Sequence, residues 1–371
     1  MKVLIILNYY YPYVSGISEY AKILAENLVK RGYAVSVLTS NHNQLPKTEI
    51  INGVKIIRAN ILCKISKGTV SIEFLKLAKE MAKKADVVNL HLPMLESGWI
   101  TGFMDQEKIV TTYHCDVNLP SGILNRFIVK VMDASNKLCL KHSNKIMVQT
   151  LDYGKHSRAA AGFYDKFIET ATPIKEYFHK ATAQEDKQII GFCGRLVEEK
   201  GIEVLLEAYK IICTQRSDCI LRIGGDYINI AGGSVYPKLC DYIKKNHMEG
   251  VEFLGKIPEE KMEEFYSSCD VFVLPSINSL EAFGMVQIEA MECGTPVVAT
   301  DLYGVRTIVQ KTGMGVVVKK KDAGDLALGI MEVLENKEKY VKPREYIRKL
   351  YGTDLCVSIY EKCFHEIINR G

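Results

Sequence analysis

The chain has 371 residues, 47% of them hydrophobic and 25% charged; these proportions fit a globular protein of about two domains and exclude a disordered, collagen-like or low-complexity chain. A net charge of +4 is too mild for a nucleic-acid binder. The total conceals an asymmetry, because residues 1–173 carry 22 Lys+Arg against 14 Asp+Glu, a net of +8, whereas residues 174–371 carry 26 against 30, a net of −4.

Met1-Lys2 precedes only five aliphatic residues before Asn8, too few for a secretory signal, so residues 3–7 read as a first strand. A Tyr/Pro/Gly loop runs to Gly16, and Tyr20, Ile23, Leu24, Asn27 and Leu28 then mark a helix ending near Arg31-Gly32. Strands follow at 34–39, 54–58, 87–90, 109–112 and 145–148, with helices near 72–84, 121–141 and 151–161. Aliphatic strands without strict alternation suit a parallel sheet buried on both faces. Residues 170–187, with Pro173 and the polar run Ala183-Gln184-Glu185-Asp186-Lys187, read as an inter-domain linker. Strand–helix alternation then restarts, with strands at 189–193, 220–223, 251–254, 271–274, 297–300 and 315–318 and helices at 202–212, 236–246, 258–268, 284–293 and 322–336. The chain is thus expected to form two doubly wound α/β domains facing each other across a cleft, over 1–172 and 173–353. A last helix over 354–371 is expected to pack back toward the first domain.

Eleven cysteines occur without a C-x-x-C spacing or a zinc pattern, which reads as buried free thiols in a reducing compartment. No apolar run approaches the ~18–20 residues of a membrane span. The expected location is cytoplasmic, with attachment at most to the inner face of a membrane.

In doubly wound sheets ligands bind beyond the carboxyl ends of the strands, so the loops there carry the chemistry. After the strand at 271–274 comes a run in which Glu281 precedes a helix beginning near Gly284 and Glu289 falls in its second turn. The amides of Phe283, Gly284 and Met285 form an anion site at a helix N-terminus. Two carboxylates beside a phosphate site suit hydroxyls flanking it, the combination offered by a sugar joined to a ribose through a diphosphate. The loop after 189–193, Gly194-Arg195-Leu196-Val197-Glu198-Glu199-Lys200-Gly201, supplies two cations that can converge on that diphosphate.

The run Glu281-Ala282-Phe283-Gly284 … Glu289-Ala290-Met291, followed by Cys293-Gly294-Thr295-Pro296, resembles the E-x7-E signature of retaining glycosyltransferase family 4, a family of GT-B fold. The resemblance implies that Glu281 contacts the donor sugar, Glu289 the ribose hydroxyls, and Arg195 and Lys200, in a G-R-x(4)-K-G element, the donor diphosphate. Ser15-Gly16 resembles the family's first glycine-rich loop, which makes Gly16 a donor contact through its amide. Tyr113-His114-Cys115-Asp116 is similar to a His/Asp loop of the family; it implies His114 beside the transferred sugar and Asp116 either orienting it or meeting the acceptor. Gly224-Gly225-Asp226 looks like a turn near the nucleotide, and Phe253 to Ile257 like the strand end beside the base.

The function implied is transfer of a sugar from a nucleoside diphosphate donor, UDP favoured and GDP-mannose next, to a glycan, glycolipid or other hydroxyl acceptor, by a front-face retaining mechanism. No D-x-D pair adjoins the donor loops, so no metal and no other cofactor is expected, and no nucleic acid partner. Two other readings use the same donor: a GT-B epimerase, and a non-catalytic nucleotide-sugar-binding subunit. Residues 125–145 mix apolar residues with Arg126, Lys130, Lys137, Lys141 and Lys145 at helical spacing. They read as an amphipathic helix packed on the sheet, or as a face for anionic lipid or a phosphorylated acceptor.

Overall fold

A computed structural model describes residues 1–65, 68–119, 122–173, 186–228 and 233–369, and the chain divides into two units, Met1–Ile174 with Tyr351–Gly371, and Lys175–Leu350. Of the linker expected over 170–187, residues 174–185 lie outside the described residues, as do 120–121 at the expected start of the 121–141 helix.

The first unit is built on β1 (Lys2–Ile6), β2 (Ala34–Asn41), β3 (Thr48–Ile51), β4 (Val54–Asn60), the hairpin of β5 (Cys63–Ile65) and β6 (Gly68–Val70), β7 (Val87–Leu92), β8 (Ile109–Tyr113), β9 (Lys145–Val148) and β10 (Phe167–Glu169). Eight of these form one sheet in the order β10-β9-β8-β7-β1-β2-β4-β3. The sheet is parallel except for the β3–β4 pair at its edge, which closes through Asn52-Gly53. β7 and β8 are buried at every position, which is why their sequences show no apolar–polar alternation.

Helix Gly16–Lys30 covers one face of this sheet, and helix Thr353–Ile368 packs beside it in the same unit. Its buried residues Cys356, Val357, Tyr360, Cys363, Phe364 and Ile367 recur at helical spacing, so they form one stripe. The stripe joins Tyr20, Ala21, Leu24 and Leu28 in a common core. At the rim, Arg31 donates to Asp354 Oδ1 at 2.9 Å and Ser358 Oγ at 3.0 Å, and pairs with Glu361.

The second unit holds β11 (Gln188–Cys193), β12 (Cys219–Gly224), β13 (Val251–Gly255), β14 (Val271–Leu274), β15 (Val297–Thr300) and β16 (Gly315–Val318). They form a sheet of order β13-β12-β11-β14-β15-β16, parallel throughout. The chain builds outward from β11 in one direction and then returns to its other side with β14, so the order reverses between these two strands. In the first unit the same reversal lies between β1 and β7. Loops leaving the carboxyl ends of such a pair diverge to opposite faces and open a crevice between them.

Several expected elements differ in detail. The 151–161 helix stops at His156, and a 3-10 segment Ala161–Lys166 follows. The 258–268 helix begins only at Met262, after a 3-10 turn over Glu259–Lys261. All eleven cysteines are free and most are buried or half-buried, whereas Cys63 and Cys213 are exposed. Helix Ile123–His142 buries only Asp133, Asn136, Cys139 and Leu140, and its first turns leave Ile123, Leu124 and Phe127 exposed. It therefore does not pack on the sheet along its whole length.

Phe364 is fully buried in the stripe that joins the last helix to the first unit. Phe364→Ala is expected to destabilise this unit by about 3–5 kcal/mol, read as a lowered urea midpoint; a midpoint equal to that of the unsubstituted chain would show that the helix contributes nothing there.

Candidate functional site

In the second unit, the residues singled out in the sequence gather where the strand order reverses. Gly194 follows β11 directly, and a 3-10 turn over Glu198–Lys200 brings the loop back to the start of helix Ile202–Cys213. Gly201 adopts φ +69°, and a Cβ there would lie 2.0 Å from the Pro275 carbonyl oxygen; only glycine permits the loops after β11 and β14 to approach so closely. The Ile277 amide donates to the Glu199 carbonyl at 3.0 Å and ties the two loops together.

This approach places Lys200 Nζ in direct contact with Glu281 Oε2. Both side chains are largely buried, at 20% and 13% exposure, and Ser276 donates to the same carboxylate oxygen at 3.3 Å. Arg195 is half-exposed and bonds Glu199 at 3.3 Å, one helical turn ahead in sequence. The two loop cations therefore differ. Lys200 is held against a carboxylate within the crevice, whereas among the described residues Arg195 is tethered by one partly exposed pair of small energetic value.

Helix Met285–Glu292 starts at Gly284, which has φ +82° and ψ +65°, and no side chain caps it. A Cβ at Gly284 would lie 2.4 Å from Leu274 Cδ2, so glycine is required both by the backbone angle and by the packing of the helix start on β14. An uncapped helix N-terminus directs backbone N–H groups and the positive end of the helix dipole at whatever occupies the space before it. Phe283 is buried, at 2% exposure. Glu289 accepts from Tyr266 OH at 2.7 Å. Burial and the nearby Glu289 push the Cys193 thiol up to about 12, against the pull of Lys200, which leaves it protonated and poorly nucleophilic at neutral pH.

In the first unit, Gly16 opens its helix behind a capping box: Ser15 Oγ accepts from the Ser18 amide at 3.2 Å, and Ser18 Oγ accepts from the Ser15 amide at 2.7 Å. Ser15 is thus occupied as a helix cap, while a Cβ at Gly16 would meet nothing within 4 Å. His114 follows β8 and is buried; its Nε2 lies 2.9 Å from His91 Nδ1. Asp116 is committed inside the unit. Its Oδ1 accepts from Tyr113 OH at 2.7 Å, Ser157 Oγ at 3.0 Å and the Ala159 amide at 3.1 Å, and its Oδ2 accepts from the Arg158 amide at 3.0 Å. A carboxylate with these partners fixes the loop after β8.

Comparison with known proteins identifies the chain. Residues 14–164 match a family described as Glycosyltransferase Family 4, and residues 173–350 one described as Glycosyl transferases group 1. D-inositol 3-phosphate glycosyltransferase of Corynebacterium urealyticum is 32% identical over 89% of this chain and 85% of that protein. The chain belongs to glycosyltransferase family 4. Sucrose-phosphate synthase from Thermosynechococcus elongatus aligns over the whole of both chains with a TM-score of 0.78 at 19% identity. HepE from Anabaena, in complex with UDP-glucose, does so with a TM-score of 0.68 at 14% identity. The fold is GT-B, with two Rossmann-like α/β domains.

Four partners in this glycosyltransferase were not singled out in the sequence. Tyr266 holds Glu289 from a helix 23 positions earlier, with nothing local to mark it, whereas Ser276 holds Glu281 from within the same loop, five residues before it. His91 and Asn89 do carry a local signal, because polar residues at alternate positions of a wholly buried strand require partners. A fifth residue, Glu96, is buried at the β1/β7 reversal, where Asn8 donates to it at 3.2 Å, and burial raises its carboxyl above the usual range.

Burial lowers the imidazole of His114 from its ordinary 6.5 to about 3, and burial together with His114 lowers His91 well below 6.5. Between those values the unfolded chain binds more protons than the folded one, so stability is lost as pH falls through about 6.5 toward about 3. The urea midpoint of this glycosyltransferase is expected to drop on going from neutral to mildly acidic pH, and to drop less in His114→Gln. An equally steep fall in that variant would exclude His114 as a contributor.

Proposed function

We propose that the chain transfers a glycosyl group, with retention of anomeric configuration and without a metal ion, from a nucleoside diphosphate sugar to a hydroxyl of a glycan or lipid-linked acceptor. The observation that carries this reading is the meeting of Lys200 with Glu281 at the β11/β14 reversal, beside the uncapped helix start at Gly284. UDP is favoured over GDP as the carrier, on the likeness to a fold relative whose structure contains UDP-glucose. The basic character of residues 1–173 and the likeness to a D-inositol 3-phosphate glycosyltransferase support an anionic, phosphorylated acceptor.

In this reading the donor diphosphate takes Lys200, Arg195 and the amides at Phe283, Gly284 and Met285, with the Gly16 amide as a further donor contact. The sugar hydroxyls take Glu281, the ribose hydroxyls take Glu289, and His114 lies beside the transferred sugar. Bound donor thus divides the Lys200–Glu281 pair between its own anion and its own hydroxyls, so neither charge loses a partner. The bond from the anomeric carbon to the diphosphate oxygen breaks first, through an oxocarbenium-like species. The acceptor oxygen then bonds the anomeric carbon on the same face, and its proton passes to the departing diphosphate. Fixed cations stabilise the leaving group most when its charge is greatest, which favours the transition state over the bound donor. Asp116 acts as a positioning residue for the loop that bears His114.

Single-turnover incubation with labelled UDP- and GDP-sugars and candidate acceptors tests the reading. Transfer to acceptor supports it, epimerised donor without acceptor replaces it by the epimerase reading, and donor binding without turnover replaces it by the binding-subunit reading. Arg195→Ala is expected to lower kcat by about 10²-fold or more, with the unsubstituted rate unchanged by EDTA. Near-full activity in the variant would remove Arg195 from the diphosphate, and loss of rate in EDTA restored by added metal would overturn the metal-free mechanism.

Contact with an anionic membrane surface is supported by helix Ile123–His142. Ile123, Leu124 and Phe127 are 90%, 70% and 63% exposed, with Arg126 and Lys130 exposed beside them. Apolar residues flanked by cations suit an interface of acyl chains and acidic headgroups. Among the described residues no helix is long and apolar enough to cross a membrane. Flotation with phosphatidylglycerol vesicles is expected to carry the protein at low salt and to lose it at high salt or in Phe127→Glu; absence of flotation at low salt would remove the membrane from the proposal.

A further inference from the structure

Neighbouring strands β7 and β8 are parallel, with His91 in register with Thr112. Side chains two apart along a strand share a face, so Asn89, His91, Thr112 and the following His114 all stand on one side of the first unit's sheet. There they form a continuous chain of hydrogen bonds. Asn89 Nδ2 donates to the Val110 carbonyl at 3.1 Å and to Thr112 Oγ1 at 3.0 Å. Asn89 Oδ1 lies 2.9 Å from His91 Nε2, and His91 Nδ1 lies 2.9 Å from His114 Nε2. On the far side, Thr112 Oγ1 bonds Tyr360 OH at 2.8 Å, which bonds Tyr20 OH at 3.0 Å.

The direction of every bond from Val110 to His114 follows from the first. A backbone carbonyl can only accept, so the nitrogen of the Asn89 amide must face Val110 and its oxygen must face His91. An amide oxygen can only accept, so His91 Nε2 carries a proton. Burial holds both rings neutral, so His91 Nδ1 is bare and accepts from His114 Nε2–H. His114 Nδ1 is then bare in turn. The bond to His91 is the only side-chain hydrogen bond of His114 among the described residues, and the Tyr20 ring packs edge-on against it at 4.9 Å.

We propose that Asn89 and His91 are positioning residues that lock His114 in its Nε2–H tautomer, so that His114 Nδ1 is available only as an acceptor for a hydroxyl group of the bound ligand. The identity of that hydroxyl as one of the donor sugar rests on the function proposed above; the tautomer does not. A bare nitrogen discriminates in favour of a hydroxyl at the position it faces and against an ether, a deoxy carbon or a carbonyl, none of which can donate. The relay thus converts the fixed direction of one backbone carbonyl into the polarity of His114 Nδ1, two side chains away.

Long-range 1H–15N spectra of the full chain labelled with 15N-histidine, recorded at neutral pH without ligand, read the tautomers directly. His91→Gln and His114→Gln assign the two rings. Both are expected to show a protonated Nε2 and a bare Nδ1; a protonated Nδ1 on His114, or a mixture of its two tautomers, would overturn the proposal. Asn89→Leu deletes the acceptor that sets the direction, and its His114 signals are expected to move to a tautomer average. Its kcat should fall on the order of tenfold, the effect of removing an outer-shell partner from a functional histidine, with little change in donor KM. A single Nε2–H tautomer with unaltered kcat in that variant would also overturn it. If Asn89→Leu does not fold, the spectrum of the unsubstituted chain still decides. Finding the Nε2–H tautomer in a chain that transfers no sugar would sink the function proposed above and leave the relay intact.

Discussion

A parallel strand buried on both faces offers a ligand nothing along its length. Its backbone groups are committed to neighbouring strands and its side chains to packing, so only the turn at its carboxyl end is available for chemistry. Strands β14 and β15 are buried at every position, and β11 is flanked on both sides. Of the charged residues assigned to the donor, Arg195, Lys200 and Glu281 accordingly lie in loops and Glu289 in the second turn of the helix that follows, and the reversal of strand order between β11 and β14 determines which two loops can meet. Gly201 and Gly284 then set how closely they meet, because each occupies a backbone conformation and a space that a side chain would deny.

Within that crevice the Lys200–Glu281 pair resolves a conflict. Two charges this enclosed are costly to leave alone, and the proposed site for an anion and hydroxyl groups needs a cation and a carboxylate close together. Pairing them in the absence of ligand satisfies both. The pair also prevents Lys200 from wandering on its long stem, so little side-chain entropy would remain to be lost on binding the proposed diphosphate. Arg195, tethered to Glu199 at the surface, retains that freedom. For the proposed anion, this local arrangement would outweigh the net negative charge of residues 174–371, because in physiological salt a charge beyond about 8 Å is largely screened while contacts inside the crevice are not.

The alternation of strands and helices, the GT-B fold and the family were all legible in the sequence, because long buried strands and a contiguous motif both write themselves locally. Edge elements were not. β3 is a four-residue strand of mixed exposure, and β10 has only three residues, too short for any period to register. The Asn52-Gly53 turn that pairs β3 with β4 was a usable signal, since that dipeptide favours a two-residue hairpin. Site residues divide in the same way. Glu281, Glu289, Arg195 and Lys200 stand out by spacing, but the contact between Lys200 and Glu281 joins loops 81 positions apart and no local pattern encodes it. Asp116 stood out as a polar residue in the right loop, yet its four partners come from Tyr113 and from residues 157–159, which only the tertiary structure brings within reach.

The helix at the end of the chain is more than a cover for the first sheet. Its apolar stripe supplies the packing that holds it against the Gly16–Lys30 helix, but Tyr360 on the same stripe is polar, fully buried and bonded to both Thr112 and Tyr20. A phenol in that position is stable only with partners, so its presence fixes the rotation of the helix as well as its location. Thr112 is in turn bonded to Asn89, whose amide directs the histidine pair. Residues 353–368 therefore complete a polar layer that begins at the carboxyl end of β8. A sheet whose interior faces were wholly apolar could pack as tightly, but it would have no means of telling one nitrogen of a buried imidazole from the other.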